Sequence, residues 1–383
     1  MTPAARAAAA IAILDRILDG QAAEAALIRW ARASRFAGSG DRAAVRDLVF
    51  DALRRLRSRA ALGGALSGRG LLLGMCREEG LDPEALFTGE GHAPPPLSDT
   101  ERAAGRAPMP DEALDLPGWL LPLWRQALGP DAEAVALAMR DRAPVWLRVN
   151  LRRADPARAA AALAGEGIVT VPHPDLPTAL RIAEGARRLA PSRAYREGLV
   201  ELQDLSPQMA CAALPARGSV LDFCAGGGGK ALALAARGAS PVVAHDIDLA
   251  RMADLPARAE RAGVRIRLAA PGQVAGRFDT VVADVPCSGS GTWRRSPDAK
   301  WRLTRDDLDR LASRQALILE QAAGFVAEGG HLAYMTCSVL AAENDEQVQG
   351  FLARDPRFEQ ILARHFSPLS ASDGFYLALM RRR

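Results

Sequence analysis

From residue 218 to the end of the chain, apolar runs of strand length alternate with stretches of helical period. In order they read GSVLDFC, KALALAARG, PVVAHD, LARMADLPARAERAG, RIRLA, FDTVVAD, a long loop, a helix over 304–327, HLAYMTC, a helix over 344–354 and GFYLALM. Parallel strands need a long crossover between them, and that crossover is usually a helix. The alternation therefore predicts a parallel α/β sheet wrapped by helices on both faces, with any ligand at the carboxyl ends of its strands.

Upstream the period is different. Residues 4–18, 22–35, 41–60 and 71–79 repeat apolar residues at helical spacing, as in Val45, Leu48, Val49, Ala52, Leu53 and Leu56. Asp41, following GSG, is the expected N-cap of the third helix. Arg54, Arg55, Arg57 and Arg59 are read first as a solvated face and second as an RNA contact. A Pro-rich connection over 87–118 and two more helices follow. VWLRVN, DPARAAAALAGEG, GIVTV and TALRI then describe a small α+β unit. At 383 residues two or three domains are expected, here 1–142, 143–205 and 206–383.

The longest apolar runs are far too short to span a bilayer, and a cytoplasmic location is expected. The five cysteines (76, 211, 224, 287 and 337) contain no C-x-x-C pair and the five histidines no H-x-x-x-H spacing, which argues against a disulfide framework and a zinc site. A net charge of +4 is compatible with a polyanionic partner. Of the 49 basic residues only Lys230 and Lys300 are lysines, and both lie in motifs. Arginine cannot stand in for a compact, rotatable ammonium.

VLDFCAGGGGK at 220–230 sets four glycines between a strand and a helix, where backbone N–H groups can approach a ligand. It spells neither a phosphate loop nor G-x-G-x-x-G. The next strand ends in Asp246, at the distance from which an acid reaches ribose hydroxyls. Together they suggest a nucleoside-containing cofactor.

Asp284-Val285-Pro286-Cys287 follows the fourth strand and Thr336-Cys337-Ser338 the fifth, so two thiols emerge at the ligand edge. Carbon 5 of a pyrimidine accepts a methyl group only after a thiolate has added at carbon 6, and a second acid/base group beside that thiol helps the adduct collapse. Asp284 is the group expected to hold the ring by its Watson–Crick edge.

Taken in series, GSGDRAAVRDLVFDALRRLRS, PVWLRVN, GLVELQDLSPQMA, VLDFCAGGGGK, DVPCSGSGTWRRSPDAKW, YMTCSVLAAEND and DGFYLALM resemble the RsmB/Sun family of S-adenosylmethionine-dependent RNA cytosine-5 methyltransferases. The resemblance implies a Rossmann-like class I methyltransferase domain preceded by a small α+β RNA-binding module and an N-terminal all-α, NusB-like domain. It implies S-adenosyl-L-methionine as cofactor, no metal, and RNA as partner, most directly 16S rRNA or an assembling small ribosomal subunit, with the chain acting as a monomer. By resemblance Cys337 adds to carbon 6, Cys287 assists release and Asp284 contacts the cytosine. Cys224, Ala225, Gly226, Gly227, Gly228, Gly229, Lys230, Asp246, Arg251 and Asp284 surround the cofactor, and Pro297, Asp298 and Lys300 belong to a loop lining the target site.

There are two departures from the family pattern. Gly227 replaces a proline that stiffens the cofactor loop, which adds an ordering cost on the order of 1 kcal/mol. Pro271 stands near the position of an acid beside the adenine. They motivate a second reading, an RNA-binding assembly factor without activity. A cysteine hydrolase has no histidine in a matching motif.

Overall fold

A computed structural model describes residues 1–370 and 372–383. It divides into two compact units, residues 1–142 with 293–304, and residues 143–292 with 305–383. The linear division expected from the sequence missed the transfer of 293–304 to the first unit. Among the described residues no helix is long and apolar enough to cross a membrane.

The first unit is helical. Its main helices are Pro3–Leu18, Ala23–Ala33, Ser39–Arg54, Leu56–Gly63 and Gly68–Glu79. The expected single helix over 41–60 is broken at Arg55 because the buried Asp115 carboxylate caps a new one, accepting from Arg57 N–H at 2.9 Å, Ser58 N–H at 3.0 Å and the Ser58 hydroxyl at 2.8 Å. Asp41 is no N-cap. It lies in the first turn, paired with Arg6 and the amino terminus.

The arginines form no single face. Arg59 is fully buried among Asp51, Glu78 and Glu79, and buried Arg54 donates to Arg294 O at 2.8 Å. Buried charge needs such partners, and it overrides the expectation of a solvated or RNA-facing row.

Segment 293–304 completes this unit. Trp293 stacks on Trp124 with centroids 6.0 Å apart. Trp301 Nε1 donates to Leu53 O at 2.7 Å and Lys300 Nζ to Arg54 O at 3.3 Å, so both satisfy orphan carbonyls at a helix C-terminus. Asp298 Oδ2 accepts from Ala23 N–H at 3.2 Å, capping a helix whose own N-cap, Ala22, has no side-chain oxygen.

The second unit holds two sheets. In the smaller, β1 (Val145–Val149), β2 (Val169–His173), β3 (Leu176–Glu184) and β4 (Val200–Leu202) pair antiparallel in the order β2-β3-β1-β4. A helix, Pro156–Gly165, joins β1 to β2.

The larger sheet has β5 (Val220–Asp222), β6 (Val242–His245), β7 (Arg267–Ala269), β8 (Phe278–Asp284), β9 (Val326–Thr336), β10 (Phe358–Phe366) and β11 (Phe375–Arg382), in the order β10-β11-β9-β8-β5-β6-β7. Strands β5 to β10 all point the same way, and β11 alone runs against them, paired antiparallel with β9 on one side and β10 on the other. The expected all-parallel sheet is thus mixed. The connection after Phe366 is too short for a crossover, which leaves a hairpin as the way back. Helices Gly229–Arg237 and Leu255–Ala262 cover one face and Arg305–Ala323 and Asp345–Arg354 the other, each burying its apolar stripe.

Candidate active site

Strand β5 has β6 on one side and β8 on the other, so the winding reverses there. The crevice at the carboxyl ends of β5 and β8 is the ligand position of an open α/β sheet.

At the end of β5 the chain runs through Cys224 and Ala225 into Gly226, Gly227, Gly228, Gly229 and Lys230, the last two opening a helix. Gly226 and Gly228 adopt φ of +50° and +79°, and a Cβ on Gly228 would lie 2.3 Å from Leu255 Cδ1. These two positions need glycine. Gly226 N–H donates to Asp246 Oδ2 at 2.9 Å, and Asp246 also pairs with Arg251 at 3.2 Å. The Gly227 carbonyl accepts from the Arg258 guanidinium. A residue the sequence reading did not single out therefore restrains the loop where the family's proline would.

Asp222, also not singled out, ends β5. Its Oδ2 accepts from Ala231 N–H at 3.0 Å, while its buried Oδ1 has no partner. Burial pushes its pKa up to about 7 against the pull of Lys230. An orphaned carboxylate oxygen at the same strand end as a glycine cradle and the Asp246 carboxylate fits a ligand that carries a cation and ribose hydroxyls. The donor set matches S-adenosylmethionine.

The two thiols meet. Cys287, three residues past the end of β8, and Cys337, the first past β9, have sulfurs 3.3 Å apart. The hydrogen bond with Cys337, together with burial, pushes the Cys287 thiol well above its ordinary pKa, so Cys287 keeps its proton. Asp284 at the end of β8 is ion-paired with Lys230. Burial alone would lower the Lys230 pKa, but the Asp284 carboxylate, with lesser help from Cys211 and Asp222, raises it and the amine stays charged. Its ammonium also lies 5.3 Å from the Phe375 ring centroid. Cys224 is different: burial pushes its thiol up to about 12, which suits packing rather than reaction.

Pro297, Asp298 and Lys300 are the residues expected to line the target. They form the helix Pro297–Arg302 of the helical unit, with Pro297 and Lys300 buried. Burial pushes the Lys300 amine down to about 7. Within that unit their side chains pack and cap helices. Glu343 and Gln315, which the sequence reading passed over, bond the loops that carry Cys287 and Cys337. Among the described residues no group of three His, Cys, Asp or Glu is arranged to hold a metal ion.

Several known proteins resemble this chain. Residues 211–380 match the family described as 16S rRNA methyltransferase RsmB/F, and residues 116–187 the RsmF/B-like ferredoxin-like domain. The chain is 36% identical over 286 residues to ribosomal RNA small subunit methyltransferase B of Klebsiella pneumoniae, a match covering 70% of this chain and 66%, just under two thirds, of that protein. It is 32% identical over 360 residues to the Vibrio cholerae protein of the same name, covering 86% of this chain and 78% of the relative. A crystal structure of a methyltransferase homolog from Pyrococcus horikoshii shares the fold, with a TM-score of 0.60 and 24% identity over 69% of this chain and 97% of that one. With the matched region centred on the glycine cradle, the paired thiols and the Asp284–Lys230 pair, this chain belongs to the RsmB/F family of 16S rRNA methyltransferases.

Proposed function

We propose that this chain methylates carbon 5 of a cytosine in 16S rRNA through a covalent adduct of Cys337 at carbon 6. The observation that carries the reading is the pair of sulfurs 3.3 Å apart at the ligand edge, one of which keeps its proton. A protonated Cys287 can donate a hydrogen bond to the Cys337 sulfur and so orient it toward carbon 6. Addition at carbon 6 makes carbon 5 an enamine carbon. S-adenosyl-L-methionine, when bound, supplies an electrophilic methyl group. Asp246, Gly226, Asp222 and the Lys230 loop would hold that cofactor.

Lys230 holds Asp284 at the end of β8, where its carboxylate can accept from the cytosine amino group. After methylation the carbon 5 proton passes to water, the carbon 5–carbon 6 double bond re-forms and the Cys337 thiolate is expelled. Cys287 assists by donating a hydrogen bond to the departing sulfur. The helical unit, read as NusB-like, and the four-stranded module bind and orient structured RNA around an extruded or unpaired cytosine, with the protein acting as a monomer.

Each thiol mutant accumulates something different. With labelled RNA and S-adenosylmethionine, Cys287→Ala is expected to give a slow-migrating covalent complex on a denaturing gel, because attack and methylation proceed while release is slow. Cys337→Ala gives neither complex nor product, and the double mutant loses the band. A band from Cys337→Ala and not from Cys287→Ala reverses the roles. No band in either, with no heat of cofactor binding, turns the reading to an inactive assembly factor.

A further inference from the structure

Each thiol of the pair is followed directly by a serine, and both serines are tied to one carboxylate. Glu343 is fully buried. Its Oε1 accepts from Ser288 N–H at 2.8 Å and from Gln315 Nε2 at 2.9 Å. Its Oε2 accepts from the hydroxyls of Ser288 and Ser338. Gln315 Nε2 is also 2.9 Å from Pro286 O, and the Tyr334 hydroxyl donates to the Glu343 carbonyl at 2.7 Å. The Ser290 hydroxyl lies 2.8 Å from that of Ser338 and accepts from Val339 N–H at 2.9 Å. The network thus joins the loop after β8 to the loop after β9 on either side of the sulfurs.

A carboxylate without a cationic partner is an expensive way to fill a buried gap, since it must be stripped of water at a cost that an apolar side chain would avoid. What it provides instead is four directed acceptor bonds. Two end on the residue after Cys287 and one on the residue after Cys337. We propose that Glu343 is the positioning residue that sets the separation of the Cys287 and Cys337 sulfurs, a role that rests on reading the pair as the reacting groups. Glu343 does not reach the substrate. It acts by holding two loops in one register while the base enters, so that one thiol attacks and the other stays within hydrogen-bond reach.

The full chain carrying Glu343→Ala, Glu343→Gln or Ser338→Ala tests this with two measurements. One is methyl transfer to RNA. The other is disulfide formation between Cys287 and Cys337 with diamide, in the absence of RNA and cofactor. Glutamine keeps the size of the side chain, and the serine hydroxyls can rotate to accept from its amide. Glu343→Ala is expected to lower kcat about a hundredfold, leave the RNA KM within about twofold and slow disulfide formation about tenfold, as misplacement of reacting groups by an ångström does. Glu343→Gln recovers most of both rates. Where Glu343→Ala does not fold, Ser338→Ala carries the test, with a smaller loss in the same direction. Wild-type rates of both reactions in a folded Glu343→Ala or Ser338→Ala overturn the proposal. A loss that follows only a lowered melting temperature, and that glutamine does not rescue, overturns it as well. Failure of the underlying reading looks different: Cys337→Ala would still methylate RNA, while in the chain with both thiols the Glu343 variants would still slow disulfide formation.

Discussion

Asp222 keeps a proton at pH values where an exposed aspartate has lost it, because burial pushes its pKa from 3.8 up to about 7. The sign for folding follows. The unfolded chain gives up that proton near 3.8, so this group's contribution to stability declines as pH rises from there to about 7 and is constant beyond. A bound cation reverses the preference, because the ionised form pairs with it. Affinity for S-adenosylmethionine is therefore expected to rise up to about tenfold per pH unit below neutrality and to level above about pH 7. Asp222→Asn should bind more weakly and lose the pH dependence; calorimetry across this range reads both, and an Asp222→Asn profile parallel to wild type sinks the assignment. The sequence offered Cys287, Cys337, Asp284, Lys230 and Asp246 for inspection because each closes a strand or a glycine loop, and strand ends share an edge whatever the details of packing. Asp222 and Glu343 were hidden for the opposite reason. A missing partner on Asp222 Oδ1 and four donors around Glu343 are properties of assembled space.

Among the elements, the glycine loop makes two neighbouring residues behave unlike each other. Gly228 combines a φ of +79° with a Cβ position 2.3 Å from Leu255 Cδ1, whereas a Cβ on Gly227 meets only the Arg258 Nη1 tip at 2.9 Å. Gly228→Ala is expected to destabilise the second unit by about 1–3 kcal/mol. Gly227→Ala should cost less, about 0.5–1 kcal/mol, since the guanidinium can move aside but gives up its bond to the Gly227 carbonyl. Urea unfolding of both compares them, and equal losses would mean the loop strain is misassigned. Five parallel strands and their helices were legible from periodicity alone, because a sheet covered on both faces needs near-continuous apolar runs. β10 was not. It is an edge strand with most of its side chains exposed, and FEQILARHF carries no clean alternation to mark it. The helix break at Arg55 escaped as well, since the carboxylate that causes it comes from Asp115, far along the chain.

For the molecule as a whole, the transfer of 293–304 to the helical unit limits how the chain can be cut. A chain beginning at residue 143 would leave Trp293 without Trp124, and Trp301 and Lys300 without the carbonyls of Leu53 and Arg54. Such a chain is expected to aggregate, because it exposes large apolar side chains that are otherwise buried. Trp293→Ala in the full chain should lower stability by about 3–5 kcal/mol, the range for deleting a buried tryptophan side chain. A monodisperse 143–383 chain in size-exclusion chromatography, together with an unshifted melt for Trp293→Ala, would contradict both. Sequence alone could not show this, because DVPCSGSGTWRRSPDAKW reads as one continuous loop motif whose two halves belong to different units. Segment 293–304 also has a consequence in time. During synthesis the helices of residues 1–142 leave the ribosome long before Trp293, and at about 5–20 residues per second they wait roughly 10–30 s for the stacking partner of Trp124 and the cap of the helix Ala23–Ala33. Throughout that interval the nascent helical unit offers an unfilled site for Trp293 and Trp301. The portion of the chain translated first is therefore completed only when most of the second unit has been translated, and the nascent chain depends for that interval on whatever shields its apolar surface.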